Sequence, residues 1–366
     1  MMKVIDMHCD TISRIWYSRL RGQAISLRDD QGNLMISLDK MQRGNYLLQN
    51  FAIFTDLHLP ENFNGQLPYD RNPTDGRRFM DPWDAATEMI RVFHEEMAAN
   101  DDLIGEVRCF ADLEKNRAAG KLSGMLTIEE GGILKGDVSK VETLYDLGAR
   151  MMTLTWNYEN ELGFPNQPME GFEKDFRKYY QFVPKEGNGL KTKGFEVLEE
   201  MQRLGIIPDV SHLSDAGFYD VARTVRGPFV ASHSNARSTA GCNRNMTDEM
   251  IRIVAEHGGV IGLNFCPAFV TEAESEDQCV SSMEGLVLHA KHIMNVGGRE
   301  VCGLGTDFDG IGHENLEVPN AGEMQKLCEY MERSGLSHEE VEGIFYKNVM
   351  RVYRDVLSFE NGGEDQ

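Results

Sequence analysis

Eight short runs rich in β-branched and aromatic residues recur along the chain, most of them followed by a stretch of helical periodicity. This alternation limits the fold more than any other feature. The runs are Lys3–Cys9, Leu47–Thr55, Leu122–Glu130, Ala149–Trp156, Ile206–His212, Phe229–His233, Gly259–Phe265 and Val301–Asp307. Amphipathic stretches lie between them: Trp83–Met97, Lys140–Leu147, Gly194–Leu204, Asp215–Thr224, Asp248–His257 and Glu284–Val296. Strands joined through helices pair in parallel, because each helix carries the chain back to where the next strand begins. Eight such units predict an α/β fold of the (β/α)8 TIM-barrel type rather than an open sheet. Glycines at helix exits, as in LGAR, LGII, HGGV and VGGR, fit these boundaries, since glycine takes a left-handed C-cap without strain. A last helix opens on the capping box of Ser337 and Glu340 and runs towards Val356.

Three excursions interrupt the rhythm after the first, second and fourth runs: Ser13–Asn45, Leu59–Asp84 and Asn157–Gly189. The third leaves from a strand's carboxyl end and should overhang the barrel mouth. Its aromatics (Tyr158, Phe164, Phe172, Tyr179, Tyr180 and Phe182) equally suit a packing cluster or a subunit interface. No repeat or linker divides the chain, so residues 1–356 read as a single barrel domain, with 357–366 as a flexible tail. A formal net charge of -22 argues against a nucleic-acid partner, which would recruit clustered Lys and Arg. Seven cysteines without CxxC spacing read as reduced thiols. With neither a signal-peptide pattern nor a membrane-length apolar run, the expected location is cytoplasmic, away from any membrane.

Active sites of such barrels lie where the strands end. Here the first run ends in His8-Cys9-Asp10, the third in Glu129-Glu130, the fifth in Ser211-His212, the sixth in Ser232-His233 and the eighth in Asp307. His8 and Asp10 are two residues apart, so both leave the strand on one face, with Met7 and Cys9 expected towards the helices. An HxD pair alone is common. Two histidines ending later strands in the same layer make a cation the better explanation, since buried carboxylates need compensation. Three His, one Asp and one Glu form a mixed nitrogen and oxygen set suited to zinc and its neighbours. Two ions bridged by a carboxylate would acidify a bridging water and polarise the carbonyl it attacks. His94, His257, His289, His292 and His338 fall in helical patterns and read as background, while His58 and His313 lie in loops.

The motifs IDMHCDT, IEEGG, MTLTWN, DVSH, SHSNAR, NRN and GLGTDFDG stand in the order of the membrane (renal) dipeptidase family, a branch of the amidohydrolase-like metal hydrolases. The chain resembles that family, in a bacterial-type soluble form, from about Val4 to Tyr353. The resemblance implies that His8, Asp10 and a glutamate hold one zinc, and that the same glutamate with His212 and His233 holds a second. The family glutamate directly precedes Gly-Gly, which selects Glu130 over Glu129. Strand alternation puts Leu126, Ile128 and Glu130 on one face without saying which face is inward. Arg244 corresponds to the arginine that grips the substrate's carboxylate, and Asp307 to the acid that shuttles a proton and meets its ammonium group. Asp309 reads as structural. A homodimer is also implied.

One position departs from the pattern. Trp156 stands where the family has a histidine that contacts the substrate carbonyl, and an indole N–H donates but carries no proton. Asn157 is a substitute donor. The resulting expectation is a zinc-dependent dipeptidase with Asp307 and Glu130 as catalytic acids and Arg244, Trp156 and Asn157 binding substrate. A related hydrolase of D-amino-acid dipeptides, N-acyl amino acids or β-lactam-like rings is the alternative, and a non-catalytic peptide-binding barrel is a third reading.

Overall fold

The computed structural model of the chain describes residues 1–59, 80–167 and 187–358. Most of the second excursion, four aromatics of the third (Phe172, Tyr179, Tyr180 and Phe182) and the last eight residues of the expected tail lie outside them. Nine strands form one parallel sheet: β1 (Val4–Asp6), β2 (Tyr46–Phe54), β3 (Ile104–Glu106), β4 (Leu122–Glu129), β5 (Met151–Thr153), β6 (Ile207–Asp209), β7 (Val230–Ala231), β8 (Val260–Leu263) and β9 (Cys302–Leu304). Their order is β2-β1-β9-β8-β7-β6-β5-β4-β3, and pairing of β2 with β4 closes eight of them into a barrel. Each expected run contributes one barrel strand. The (β/α)8 expectation therefore holds.

β3 is the strand that the sequence hides. It is three residues long, contains a glycine, and pairs with the start of β4, below β5 on the same edge. The excursion after β1 carries two helices, Thr11–Leu20 and Leu38–Gly44. No described helix is long and apolar enough to cross a membrane.

Ile5, Leu48, Met125, Met151, Ile207, Val230 and Val260 meet in one apolar cluster inside the barrel. Each such side chain is worth about 1.5–3 kcal/mol on burial. Val349, Val352 and Tyr353 of the last helix join the cluster and plug one end, where the Tyr353 hydroxyl donates to Asn50 Oδ1 at 2.9 Å. Met7 also belongs to this interior cluster, contrary to the expectation that it faces the helices. Regular β1 ends at Asp6 and the chain bends at Met7 before His8, so counting alternate residues back from His8 fails.

The final helix keeps its capping box at Ser337 and Glu340 but is not continuous. A π-turn at Gly343–Lys347 separates His338–Glu342 from Asn348–Leu357. At that break Asn348 Nδ2 donates to the carbonyls of Arg299 and Cys302, both at 2.8 Å, and ties the helix to the entrance of β9.

Candidate metal centre

β4 decides which glutamate reaches the barrel mouth. Met125 lies in the interior cluster, whereas Leu126 and Ile128 pack outward with the helices. Alternation then turns Glu129 inward. The register agrees, because Glu129 is level with Thr153, and Thr153 with Asp209. The Glu129 carboxylate lies 3.4 Å from His8 Nε2, 3.0 Å from His212 Nε2 and 3.6 Å from His233 Nε2. Asp10 Oδ2 is 3.7 Å from His8 Nε2. The structure thus brings together His8, Asp10, His212 and His233 as expected, around a different glutamate.

Glu130, the expected bridging residue, is elsewhere. Regular pairing stops at Glu129, and Glu130 adopts a φ of 94° that folds its side chain over the turn at Gly131–Leu134. Its carboxylate accepts from the backbone N–H of Gly132 at 2.6 Å and of Trp156 at 3.0 Å, and from Asn160 Nδ2 at 2.6 Å. Burial pushes its pKa up to about 7 against those three donors. The Gly-Gly pair serves this fold-back: a Cβ on Gly132 would meet Glu130 Oε1 at 2.7 Å. Glu130 pins the chain after β5 to the end of β4. The structure transfers its expected place in the cluster to Glu129.

A buried network beneath the cluster sets the histidine tautomers. Asp209 Oδ1 accepts from the backbone N–H of Ser211 and Ser232 at 3.0 and 2.9 Å and from the Ser211 hydroxyl at 2.9 Å. Its Oδ2 accepts from the hydroxyls of Thr153, at 2.9 Å, and Ser232. Since Ser232 gives its proton to Asp209, the 2.7 Å bond between Ser232 Oγ and His233 must be donated by His233 Nδ1. Its Nε2 then presents a lone pair to the site. His212 Nδ1 likewise donates to Asn157 Oδ1 at 2.9 Å, and its Nε2 accepts from Arg244 Nη2 at 3.0 Å. The two Nε2 atoms nevertheless face each other at 2.9 Å beside Glu129.

Such an arrangement asks for a cation. Acceptors are gathered against one another, and two buried atoms, His8 Nε2 and Asp10 Oδ1, have no hydrogen-bond partner among the described residues. Donor atoms of His8, Glu129 and His233, and separately of His8, Asp10 and Asp307, lie within 4.8 Å of one another. Burial opposes charge on His8, yet Glu129 and Asp10 hold its pKa well above that of a free imidazole. His212 and His233 are pushed well below it, chiefly by burial, and stay neutral as ligands must. Burial also pushes Glu129 up to about 7. The donor set fits divalent metal ions.

A cavity of about 1330 Å³ opens above the cluster, lined among others by Asp10, Glu129, Trp156, Asn157, Arg244 and Asp307. Arg244 is buried beneath it, with its guanidinium donating to the carbonyls of Ser211 and, at 3.2 Å, His233. Its Nε has no hydrogen-bond partner among the described residues. Asp307 takes a φ of 63°, and its Oδ2 accepts from Asn264 Nδ2 at 3.0 Å. Burial pushes the Asp307 pKa up to about 6.

Asn264, at the end of β8, is not marked by the sequence, because an uncharged amide at a strand end carries no metal-ligand signature. Asn157 was expected to face substrate, but its amide oxygen orients His212. Trp156 stands edge-on to Phe54 with centroids 4.8 Å apart and forms an apolar wall. Asp309 is structural, accepting from Thr11 Oγ1 at 2.6 Å and from the N–H of Met35 and Ile36 at 2.8 and 3.3 Å.

One background histidine supports the mouth from outside. Buried His289 accepts from the Ala236 N–H at Nδ1, so its Nε2 donates to the Val270 carbonyl, both at 3.1 Å. Burial lowers its pKa to about 4. Below pH 6.5 the unfolded chain takes up a proton that the folded one refuses, so stability falls as pH drops from 6.5 towards 4. The loss from this residue is roughly 3 kcal/mol. Denaturant unfolding across that window should show a shallower pH slope in His289→Gln than in the wild type. Identical slopes would remove His289 as the cause.

The chain matches the family model described as membrane dipeptidase (Peptidase family M19) over residues 1–365. It is 27% identical over 356 residues to an uncharacterised dipeptidase of Schizosaccharomyces pombe, covering 96% of this chain and 80% of that protein. Among solved structures it is similar to dipeptidase AC, a metallopeptidase of family M19. The TM-score is 0.82 at 24% identity, over 98% of this chain and 99% of that one. A metallopeptidase from Rhodobacter sphaeroides, liganded with a phosphinate mimic of the dipeptide L-Ala-D-Ala, gives 0.81 at 23% identity over 97% and 99%.

Proposed function

The chain belongs to the membrane dipeptidase family, metal-dependent hydrolases that act on dipeptides, and from that premise we propose that it cleaves small dipeptides at a two-zinc centre. In this reading His8 and Asp10 would hold one ion and His212 and His233 the other, with Glu129 placed among all of them as a shared ligand. When bound, the ions supply Lewis acidity, acidifying a water and polarising the scissile carbonyl. The chain's own residues do the rest. Arg244, held by the carbonyls of Ser211 and His233, binds the substrate's carboxylate. Asp307, oriented by Asn264, holds the ammonium group and passes a proton to the leaving amine. Trp156 and Phe54 wall the cleft against water. Charge recognition at both substrate ends excludes longer peptides.

The observation that carries the reading is the meeting of His212 Nε2 and His233 Nε2 at 2.9 Å beside Glu129, two acceptors whose repulsion a divalent cation would relieve. The test is hydrolysis of a dipeptide panel before and after chelation, with zinc added back. Turnover should fall at least about 100-fold on metal removal and return with zinc. Undiminished turnover by fully chelated protein would overturn the mechanism.

A further inference from the structure

Resting on the reading of a dipeptide held between Arg244 and Asp307, we propose that Arg14 makes the site selective for dipeptides whose amino-terminal residue carries an acidic side chain, aspartyl or glutamyl. Arg14 stands on the helix Thr11–Leu20, which begins immediately after Asp10, and it lines the cavity. Its Nε donates to the carbonyl of Asp309 at 2.7 Å, which anchors the guanidinium. Both Nη atoms are left without a hydrogen-bond or ion-pair partner among the described residues. Arg19 on the same helix is paired with both Glu95 and Glu96.

The anchor point gives Arg14 its place relative to the substrate. Asp309 is bonded to Gly310, and a Cβ on Gly310 would lie 2.1 Å from Asp10 Oδ2 and 2.4 Å from Asp307 Oδ1. Arg14 is therefore tethered one peptide unit from the gap between those two carboxylates. Arg244 reaches the other side of the cluster, through Ser211, His212 and His233. A substrate carboxylate on Arg244 directs the amino-terminal residue towards Asp307, and its side chain towards Arg14. A forked guanidinium with free N–H groups at that point recognises a carboxylate. Asp277 and Glu314 also line the cavity and neither pairs with Arg14, so the rival preference is for a basic side chain.

The test compares kcat/KM of the zinc-loaded protein for Glu-Ala, Asp-Ala, Ala-Glu, Ala-Ala and Lys-Ala, using wild type, Arg14→Ala, Arg14→Glu and Arg14→Lys. The Glu-Ala to Ala-Ala ratio should be about two- to fivefold in the wild type, a size suited to a partly exposed ion pair. It should fall towards one in Arg14→Ala, turn in favour of Lys-Ala in Arg14→Glu, and recover in part in Arg14→Lys. It should also shrink with added salt. A wild-type ratio near one, a ratio untouched by Arg14→Ala, an acid preference confined to Ala-Glu, or a preference for Lys-Ala would each overturn the assignment. Turnover of Ala-Ala without acid preference refutes only the role of Arg14, whereas failure to cleave any of the five refutes the dipeptidase reading beneath it.

Discussion

Glu129→Gln is expected to lower kcat/KM for dipeptides at least about 1,000-fold and to reduce bound zinc below two ions per chain. Its carboxylate lies within 3.6 Å of the Nε2 atoms of all three site histidines. An amide of the same shape offers one neutral oxygen in place of two anionic ones and cannot bridge two cations. The neighbouring change, Glu130→Gln, should behave differently. It turns an amide group onto the N–H of Gly132 or Trp156 and leaves a buried donor facing a donor. The cost is about 1–3 kcal/mol of stability, seen as a Tm lower by several degrees, with zinc content retained. Metal analysis and thermal unfolding of both variants check the pair. If Glu130→Gln loses metal while Glu129→Gln keeps it, the assignment is reversed.

Asp307→Asn should reduce turnover about 100- to 10,000-fold if, as proposed, Asp307 carries the proton and faces the substrate's ammonium group. The fold should tolerate it well. Asparagine is among the residues that accept a φ of 63°, and its side-chain oxygen can still receive Asn264 Nδ2. Zinc content then discriminates between two roles. An Asp307 oxygen lies within 4.8 Å of donor atoms of His8 and Asp10, close enough for a ligand. Unchanged zinc with lost turnover supports proton transfer, whereas loss of one ion per chain would make Asp307 a ligand instead.

The barrel was legible because each run rich in β-branched residues did form a strand, and because the helices between them, such as Asp215–Thr224, carry a clear periodicity. The site was legible in part. His8, Asp10, His212, His233 and Asp307 converge because all stand just beyond strand ends, and a barrel gathers strand ends, whereas Arg244 arrives on the loop between β7 and the helix Asp248–Glu256. The choice between Glu129 and Glu130 was not legible. A parallel strand is buried on both faces, so Met125, Leu126 and Ile128 carry no polar alternation to mark the inside. The Gly-Gly signal misled for a definite reason: those glycines accommodate the folded-back Glu130, not a ligand. Asp209 stood in view within DVSH, yet its part in holding both Ser-His pairs depends on the register between β6 and β7, which spacing alone does not give.

The most direct measurement is anomalous diffraction from crystals of the zinc-loaded protein. Two metal peaks are expected in the barrel mouth, one bonded to His8 and Asp10, the other to His212 and His233, with the Glu129 carboxylate reaching both. A peak coordinated by Glu130, or a mouth without metal in protein that still hydrolyses dipeptides, would contradict this arrangement.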